Sequence, residues 1–260
     1  PLQWALTACC YIQITEVNAQ RRLNAVLQLQ LLSLDDLYDM VLAFTFEETE
    51  SPVLEMILGA IATAHEYFSM TSIKCLASGI IPSAPQAIQD EVEKILSLLS
   101  FLIAGERDIL STTAKVPISF MAYLKHADIA KAYVQTDPSF HHVLACFCLK
   151  TMQNKQNGLH FNICKLETSS QLNSQVQNLH ALIDKHVGDA LSYACCFWAF
   201  HAAQAHTLCA TLHDSIGSLL STNQFLHWLE VMSVTGSDPH KSLMQLKAQS
   251  HLVCDMSCYG

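Results

Sequence analysis

A chain of 260 residues that is 51% hydrophobic can bury one large core or two ordinary ones, and only 14% of it is charged, against about 25% in an average globular chain. Fourteen Lys and Arg against 23 Asp and Glu leave a formal net charge of −9, which opposes contact with phosphate backbones and anionic lipid; Arg21-Arg22 is the only adjacent basic pair. No basic stretch followed by an apolar run marks a secretory signal, and the eleven cysteines sit at apolar periodic positions rather than at disulfide-framework spacings, so buried, reduced thiols in a cytoplasmic protein are expected. The chain begins at Pro1 rather than Met, so a piece of a longer protein is expected.

The first segment, PLQWALTACCYIQI, is apolar and too short to span a bilayer. In LSLDDLYDMVLAF, Leu34, Leu37, Tyr38, Val41 and Leu42 recur at helical spacing, and Ser33 with Asp36 forms a capping box. Residues 53–66 repeat the pattern through Leu54, Ile57, Leu58 and Ile61. Ser69 or Thr71 caps a short helix, and residues 82–102 form a long one with Ile88, Val92, Ile95, Leu96 and Leu99 on one face. FLIAGERDIL and AKVPISFM then read as two short strands, a hairpin near 101–121. Three helices and a strand pair are the order of a winged helix. Its third helix carries Asp90, Glu91 and Glu93 against Lys94 alone, which favours packing on protein over DNA binding.

The remainder reads as helical. Asp137-Pro138 starts a helix bearing Val143, Leu144, Phe147, Cys148 and Met152, and further helices are expected near 170–186, 190–212, 221–234 and 238–253. The last two starts fall at Ser221 or Thr222 and at Ser237-Asp238-Pro239. The fold class is therefore mainly α: a helical domain, a winged helix and an α-helical arm.

The candidate sites are weak. LSYACCFWAFHAAQAH, residues 191–206, lacks formal charge, but His201, Gln204 and His206 are costly at membrane depth and no Lys or Arg cluster flanks the stretch. A buried or interface helix is the better reading. HHVLACFC gathers His141, His142, Cys146 and Cys148, yet C-x-C on a helix turns its thiols about 200° apart. His142 and Cys146 share a face but want two more ligands, so no metal is assigned. No G-x-S-x-G, no protease-type cysteine signature and no glycine-rich phosphate loop is present, so no catalytic residue is assigned and the chain by itself is not an enzyme.

Several stretches resemble one family. LQWALTACCYI with LDDLYDMVL is similar to the end of the nucleotide-binding core and the helical domain of fungal NACHT-type STAND NTPases, which are NLR-like; Ile57–Ile61 resembles the start of their winged-helix domain. LHFNICKLETSSQLNSQV, residues 159–176, resembles that family's LKFNICGLESSYLLNSEV. LSYACCFWAFH is similar to its LSYACRFWADH, and FLHWLEVMSV, from Phe225, to its FLYWLEVLSL. The matches run in the family's order over nearly the whole chain.

The resemblance implies three domains: the end of the core with the helical domain at 1–50, the winged helix at 51–125 and the helical arm at 126–260. It implies that the P-loop lies upstream, that the parent protein is an NTPase using ATP and ADP, and that WD repeats follow. The partners implied are the upstream NACHT core, the downstream repeat domain and further copies in a homo-oligomer, with no nucleic acid and no membrane. The family's winged helix carries LHxSFxDFL, whose His is expected to sense nucleotide phosphate. Here the stretch is VPISFMAYL, with Pro117 at the His position and Ala122 at the Asp position. The resemblance thus implies a non-functional nucleotide-sensing position, since proline offers a phosphate no donor. Cys196 and Phe200 likewise replace an Arg and an Asp, and Phe200 is expected to add an exposed aromatic surface. The alternatives are a stand-alone helical adaptor or a degenerate relic, a winged-helix DNA-binding protein, and an enzyme acting through Cys and His.

Overall fold

Apolar side chains at i, i+3 and i+4 become helices in both halves of the described chain. The computed structural model describes residues 2–13, 19–28, 33–49, 52–65, 68–80, 86–103, 116–126, 139–168, 171–205 and 209–249. Thirteen α-helices and no strand occur among them. They fall into two compact units, Pro1–Asp137 and Pro138–Gly260.

The first unit contains α1 (Leu2–Gln13), α2 (Ala19–Gln28), α3 (Leu34–Thr49), α4 (Pro52–Thr63), α5 (Met70–Ile80), α6 (Gln86–Ile103) and α7 (Ile118–His126). At the start of α3 the Ser33 N–H donates to the Asp36 carboxylate at 3.2 Å, and the Asp36 N–H donates to the Ser33 hydroxyl at 3.1 Å. Two orphan donors are thereby satisfied. Leu37, Tyr38, Val41 and Leu42 are buried on the core face of α3, and Leu54, Ile57, Leu58 and Ile61 on that of α4. Ser69, rather than Thr71, caps α5: its hydroxyl accepts the Ser72 N–H at 3.1 Å. The pair Arg21-Arg22 is absorbed by packing. The Arg22 guanidinium is buried and lies 5.5 Å from the ring centres of both Tyr11 and Phe44, while Arg21 lies over Phe44 and pairs with Glu47 at 3.7 Å.

The two spans read as strands, 101–110 and 114–121, divide differently. Residues 101–103 close α6 and residues 118–121 open α7. Leu102 extends the buried stripe of Ile95, Leu96 and Leu99 by one more helical step. The fixed φ of Pro117 suits a helix start, and its carbonyl accepts the N–H groups of Phe120 and Met121, both at 3.1 Å. Residues 104–115, the middle of the expected hairpin, lie outside the described residues. What is described of extended pairing is one backbone bond, from the Val116 N–H to the Phe68 carbonyl at 3.1 Å, beside an isolated bridge at Ser69.

The second unit holds α8 (Ser139–Met152), a single 3₁₀ turn (Asn173–Gln175), α9 (Leu179–His186), α10 (Gly188–Gln204), α11 (Ala210–Ser221), α12 (Gln224–Thr235) and α13 (Pro239–Gln249). Asp137-Pro138, the expected start of α8, lies outside the described residues. α10 is the central element, packed against α8, α12 and α13. It buries Leu191, Tyr193, Ala194, Cys195, Trp198, Ala199, His201, Ala202 and Ala203. This is the LSYACCFWAFH stretch, and its lack of charge follows from its central position. No described helix is long and apolar enough to cross a membrane.

Helix boundaries differ from the sequence expectation at two places among the described residues. The span near 170–186 is helical only from Leu179, preceded by turns that dock on α12. The span near 190–212 is two helices, broken between Gln204 and Ala210. The last helix is described from Pro239 to Gln249, and the expected end near 253 lies outside the described residues. α12 ends at Gly236, whose φ of 70° lets its N–H reach back to the Met232 and Ser233 carbonyls. The Asp238 carboxylate then caps α13 by accepting the His240 N–H at 2.9 Å.

Candidate functional site

Position 117 stands at the entry to α7. Pro117 is half-buried, and the residues after it turn back onto α3. The Ser119 hydroxyl lies 3.1 Å from the Tyr38 hydroxyl. The Phe120 and Tyr123 rings lie edge-on and tilted to Tyr38, with centres 5.1 Å away in each case, and the Tyr123 hydroxyl donates to the Asp39 carboxylate. Burial pushes the Tyr38 phenol above its ordinary range, so this O–H stays protonated at neutral pH. The motif residues Tyr38, Ser119 and Phe120 thus form a packing seam between α3 and α7. Ala122 is exposed.

The set His141, His142, Cys146 and Cys148 is separated. Cys148 is wholly buried, and burial with Cys196 and Cys146 nearby pushes its thiol far up. Cys195, also wholly buried, is raised for the same leading reason. These are inert core thiols. His141 turns the other way, and its Nδ1 lies 3.0 Å from Nδ1 of the buried His201. The Tyr193 hydroxyl lies 2.8 Å from the remaining nitrogen of His201. One neutral assignment satisfies the chain: Tyr193 donates to His201 Nε2, and His201 Nδ1–H donates to His141. Phe200 is not the exposed surface expected of it. It is half-buried, edge-on to His141 with ring centres 5.7 Å apart. Cys196 is half-buried as well, its sulfur 3.3 Å from the Ser237 hydroxyl.

His142 keeps the neighbour that helical spacing gives it, with Nε2 3.6 Å from the Cys146 sulfur. A residue outside the sequence-derived set joins them: the Cys209 sulfur lies 3.5 Å from the same Nε2. Cys209 precedes α11, in the break that interrupts the span read as one helix, and nothing in the local pattern announced that break. Among the described residues no group of three or more His, Cys, Asp or Glu could hold a metal ion.

The loop of residues 158–168 is the other built feature. Leaving α8, Gly158 passes so close to that helix's end that a Cβ would fall 2.4 Å from the Asn154 carbonyl oxygen. Asn162, at φ 50°, closes a ring with Leu166. Its side-chain oxygen Oδ1 accepts the Leu166 N–H at 2.7 Å, and its side-chain Nδ2–H donates to the Leu166 carbonyl at 2.9 Å. The consecutive N–H groups of Asn162 and Ile163 donate to the two oxygens of Glu230, at 3.1 and 3.0 Å. Lys165 adopts φ 54°, a left-handed conformation that costs an L-residue about 1–2 kcal/mol. Lys165→Gly is therefore expected to stabilise the chain by up to about 1 kcal/mol, after glycine's larger chain entropy is set against the relief. A rise in urea midpoint at unchanged slope is the readout; an unchanged or lower midpoint would refute the strain.

No protein-family model, no curated protein and no solved structure matches this chain.

Proposed function

We propose that the chain is the regulatory segment of a NACHT-type STAND NTPase. It would comprise the end of the core and the helical domain (1–50), a winged helix (51–125) and a helical arm (126–260). The reading rests on the ordered motifs from LQWALTACCYI to FLHWLEVMSV. Three structural features support it. The family's glycine in FNICGLESS aligns with Lys165, where the backbone is left-handed and glycine is favoured. Helices α4 to α6, with Phe68 between α4 and α5 bonded to Val116 after α6, suit a winged helix whose first extended segment pairs with a later one. Tyr38 of LDDLYDMVL meets Ser119 and Phe120 of VPISFMAYL in one seam.

On this reading the chain itself hydrolyses no nucleotide. It relays the nucleotide state of an upstream P-loop core to a downstream sensor through rotation between an ADP-bound closed state and an ATP-bound open state that oligomerises. Its partners are that core, the repeat domain and further copies of the parent protein.

The test begins with the full transcript through both ends of the segment. An in-frame G-x-x-x-x-G-K-[ST] core upstream supports the switch; a message beginning near Pro1 removes it and leaves the helical adaptor. Given the core, Pro117→His in the full-length protein is expected to tighten ADP binding roughly tenfold, the order of one charge-assisted hydrogen bond. Tight ADP binding that the substitution leaves unchanged would refute the role of position 117.

A further inference from the structure

Among the described cysteines, two share a single imidazole. His142 and Cys146 stand one turn apart on α8, and Cys209 is presented from the start of α11. Both sulfurs contact the same His142 nitrogen, Nε2, at 3.6 and 3.5 Å. Seven residues past Cys146, just beyond the end of α8, Gln153 donates to the Ser215 carbonyl of α11 at 3.2 Å, which holds that end of α8 beside α11. The other imidazole nitrogen of His142, Nδ1, is buried and has no hydrogen-bond partner among the described residues.

The two thiols are unequal. Cys146 is half-buried, and burial raises it. Cys209 is exposed, occupies the N-cap position of a twelve-residue helix, and has the Thr211 hydroxyl 2.9 Å from its sulfur. That hydroxyl, followed by the Leu212 N–H, holds its thiol below the ordinary range. An exposed thiol at a helix N-terminus beside an imidazole is the environment of a nucleophilic cysteine.

We infer that Cys209 and Cys146 form a peroxide-oxidised thiol pair, with Cys209 as the attacking thiol, His142 as its base and Cys146 as the resolving thiol. The Cys209 proton passes to His142 Nε2. The thiolate attacks one oxygen of hydrogen peroxide, the O–O bond breaks, and the departing hydroxide takes the proton from the imidazolium as water, leaving Cys209 sulfenic acid. Cys146 then gives its proton to His142 Nε2, its thiolate attacks the Cys209 sulfur, the S–O bond breaks, and the departing hydroxide takes the proton from the imidazolium as a second water. Two thiols are oxidised to one disulfide and one peroxide is reduced to two waters. The bond would tie α8 to α11 covalently. This inference is independent of the nucleotide-switch reading.

The experiment is titration of the intact, reduced chain with hydrogen peroxide, with thiols mapped residue by residue by alkylation and mass spectrometry. One equivalent is expected to remove the thiols of Cys146 and Cys209 together, with loss of two hydrogens in mass. Cys209 should react roughly tenfold faster than the exposed Cys9 and Cys75. Cys209→Ser, a conservative change that keeps an N-cap hydroxyl, should leave Cys146 reduced. Cys146→Ser should stop at a sulfenic acid on Cys209 that dimedone captures. His142→Gln should slow Cys209 oxidation roughly tenfold without changing far-UV circular dichroism. The inference is overturned if Cys9 or Cys75 reacts first, if Cys146 oxidises equally fast in Cys209→Ser, or if the mapped disulfide joins other cysteines.

Discussion

Trp228→Ala is expected to cost the second unit about 3–5 kcal/mol, the range for emptying a wholly buried large aromatic site. Trp228 is fully buried on α12, edge-on to the equally buried Trp198 of α10 at 6.0 Å between ring centres, with Phe225 tilted against it at 5.6 Å. Its indole N–H donates to the Cys195 carbonyl of α10 at 2.9 Å. Truncation removes the ring volume, the edge contact and the only hydrogen bond drawn from that indole at once. The two helices it joins carry the motifs FLHWLEVMSV and LSYACCFWAFH, so the ring is the point where both are read as one core. Trp228→Phe keeps most of the volume and loses the donor, so about half the cost is expected. Urea unfolding followed by far-UV circular dichroism measures both, since helix signal does not depend on the deleted fluorophore. A loss under about 1 kcal/mol in Trp228→Ala would show that the site collapses around the smaller residue and that the pair does not anchor the unit.

Helical periodicity carried most of the architecture in plain view. Leu34, Leu37, Tyr38, Val41 and Leu42, and Leu54, Ile57, Leu58 and Ile61, were placed on core faces by spacing alone; Leu34 is half-buried and the others are buried. Caps were legible where a side chain makes a short-range bond, as at Ser33 with Asp36, Ser69 and Asp238. Breaks without a glycine or proline were not. Nothing between Gln204 and Ala210 interrupts the apolar pattern, yet two helices meet there. Residues 101–103 and 118–121 were misassigned because short apolar runs satisfy strand and helix templates alike. Length decides between them only when the neighbouring helix can be seen to continue.

The side-chain clusters were legible only in part, for a physical reason. Spacing within one helix placed His142 against Cys146, and the imidazole and sulfur lie 3.6 Å apart. It could not find Cys209, which reaches His142 from 67 residues away. The same limit hid the route from His141 to His201 and Tyr193, which crosses from α8 to α10. Local pattern predicts partners one turn away; tertiary partners follow from helix packing that no single segment encodes. The polar stretch NICKLETSSQLNS was read as a helix start from residue 170; among its described residues, 162–168 form a clamp of turns and Asn173 opens a 3₁₀ turn. Its signal was present in Asn162, a residue type that tolerates left-handed backbone and bonds its own loop.

That clamp sets the second large effect. Glu230→Ala is expected to cost about 2–4 kcal/mol, because one carboxylate receives two consecutive backbone N–H groups and each such charge-assisted bond contributes about 1.5–3 kcal/mol before solvent competes. Asn162→Ala should cost about 2–3 kcal/mol, through the loss of both side-chain bonds to Leu166 and the left-handed φ of 50° imposed on alanine. The two changes act on one short loop, so the double variant should lose less than the sum, with a coupling of about 1–2 kcal/mol. Once either support is gone the loop is released, and the second substitution removes a contact that no longer forms. Glu230→Gln retains one acceptor oxygen and should fall between wild type and alanine. The cycle is read by urea unfolding of all four chains, with amide hydrogen exchange at Asn162 and Ile163 as the local probe. Strict additivity, with those two amides still protected in Glu230→Ala, would mean that the Asn162 ring holds the loop unaided and that Glu230 is dispensable to it.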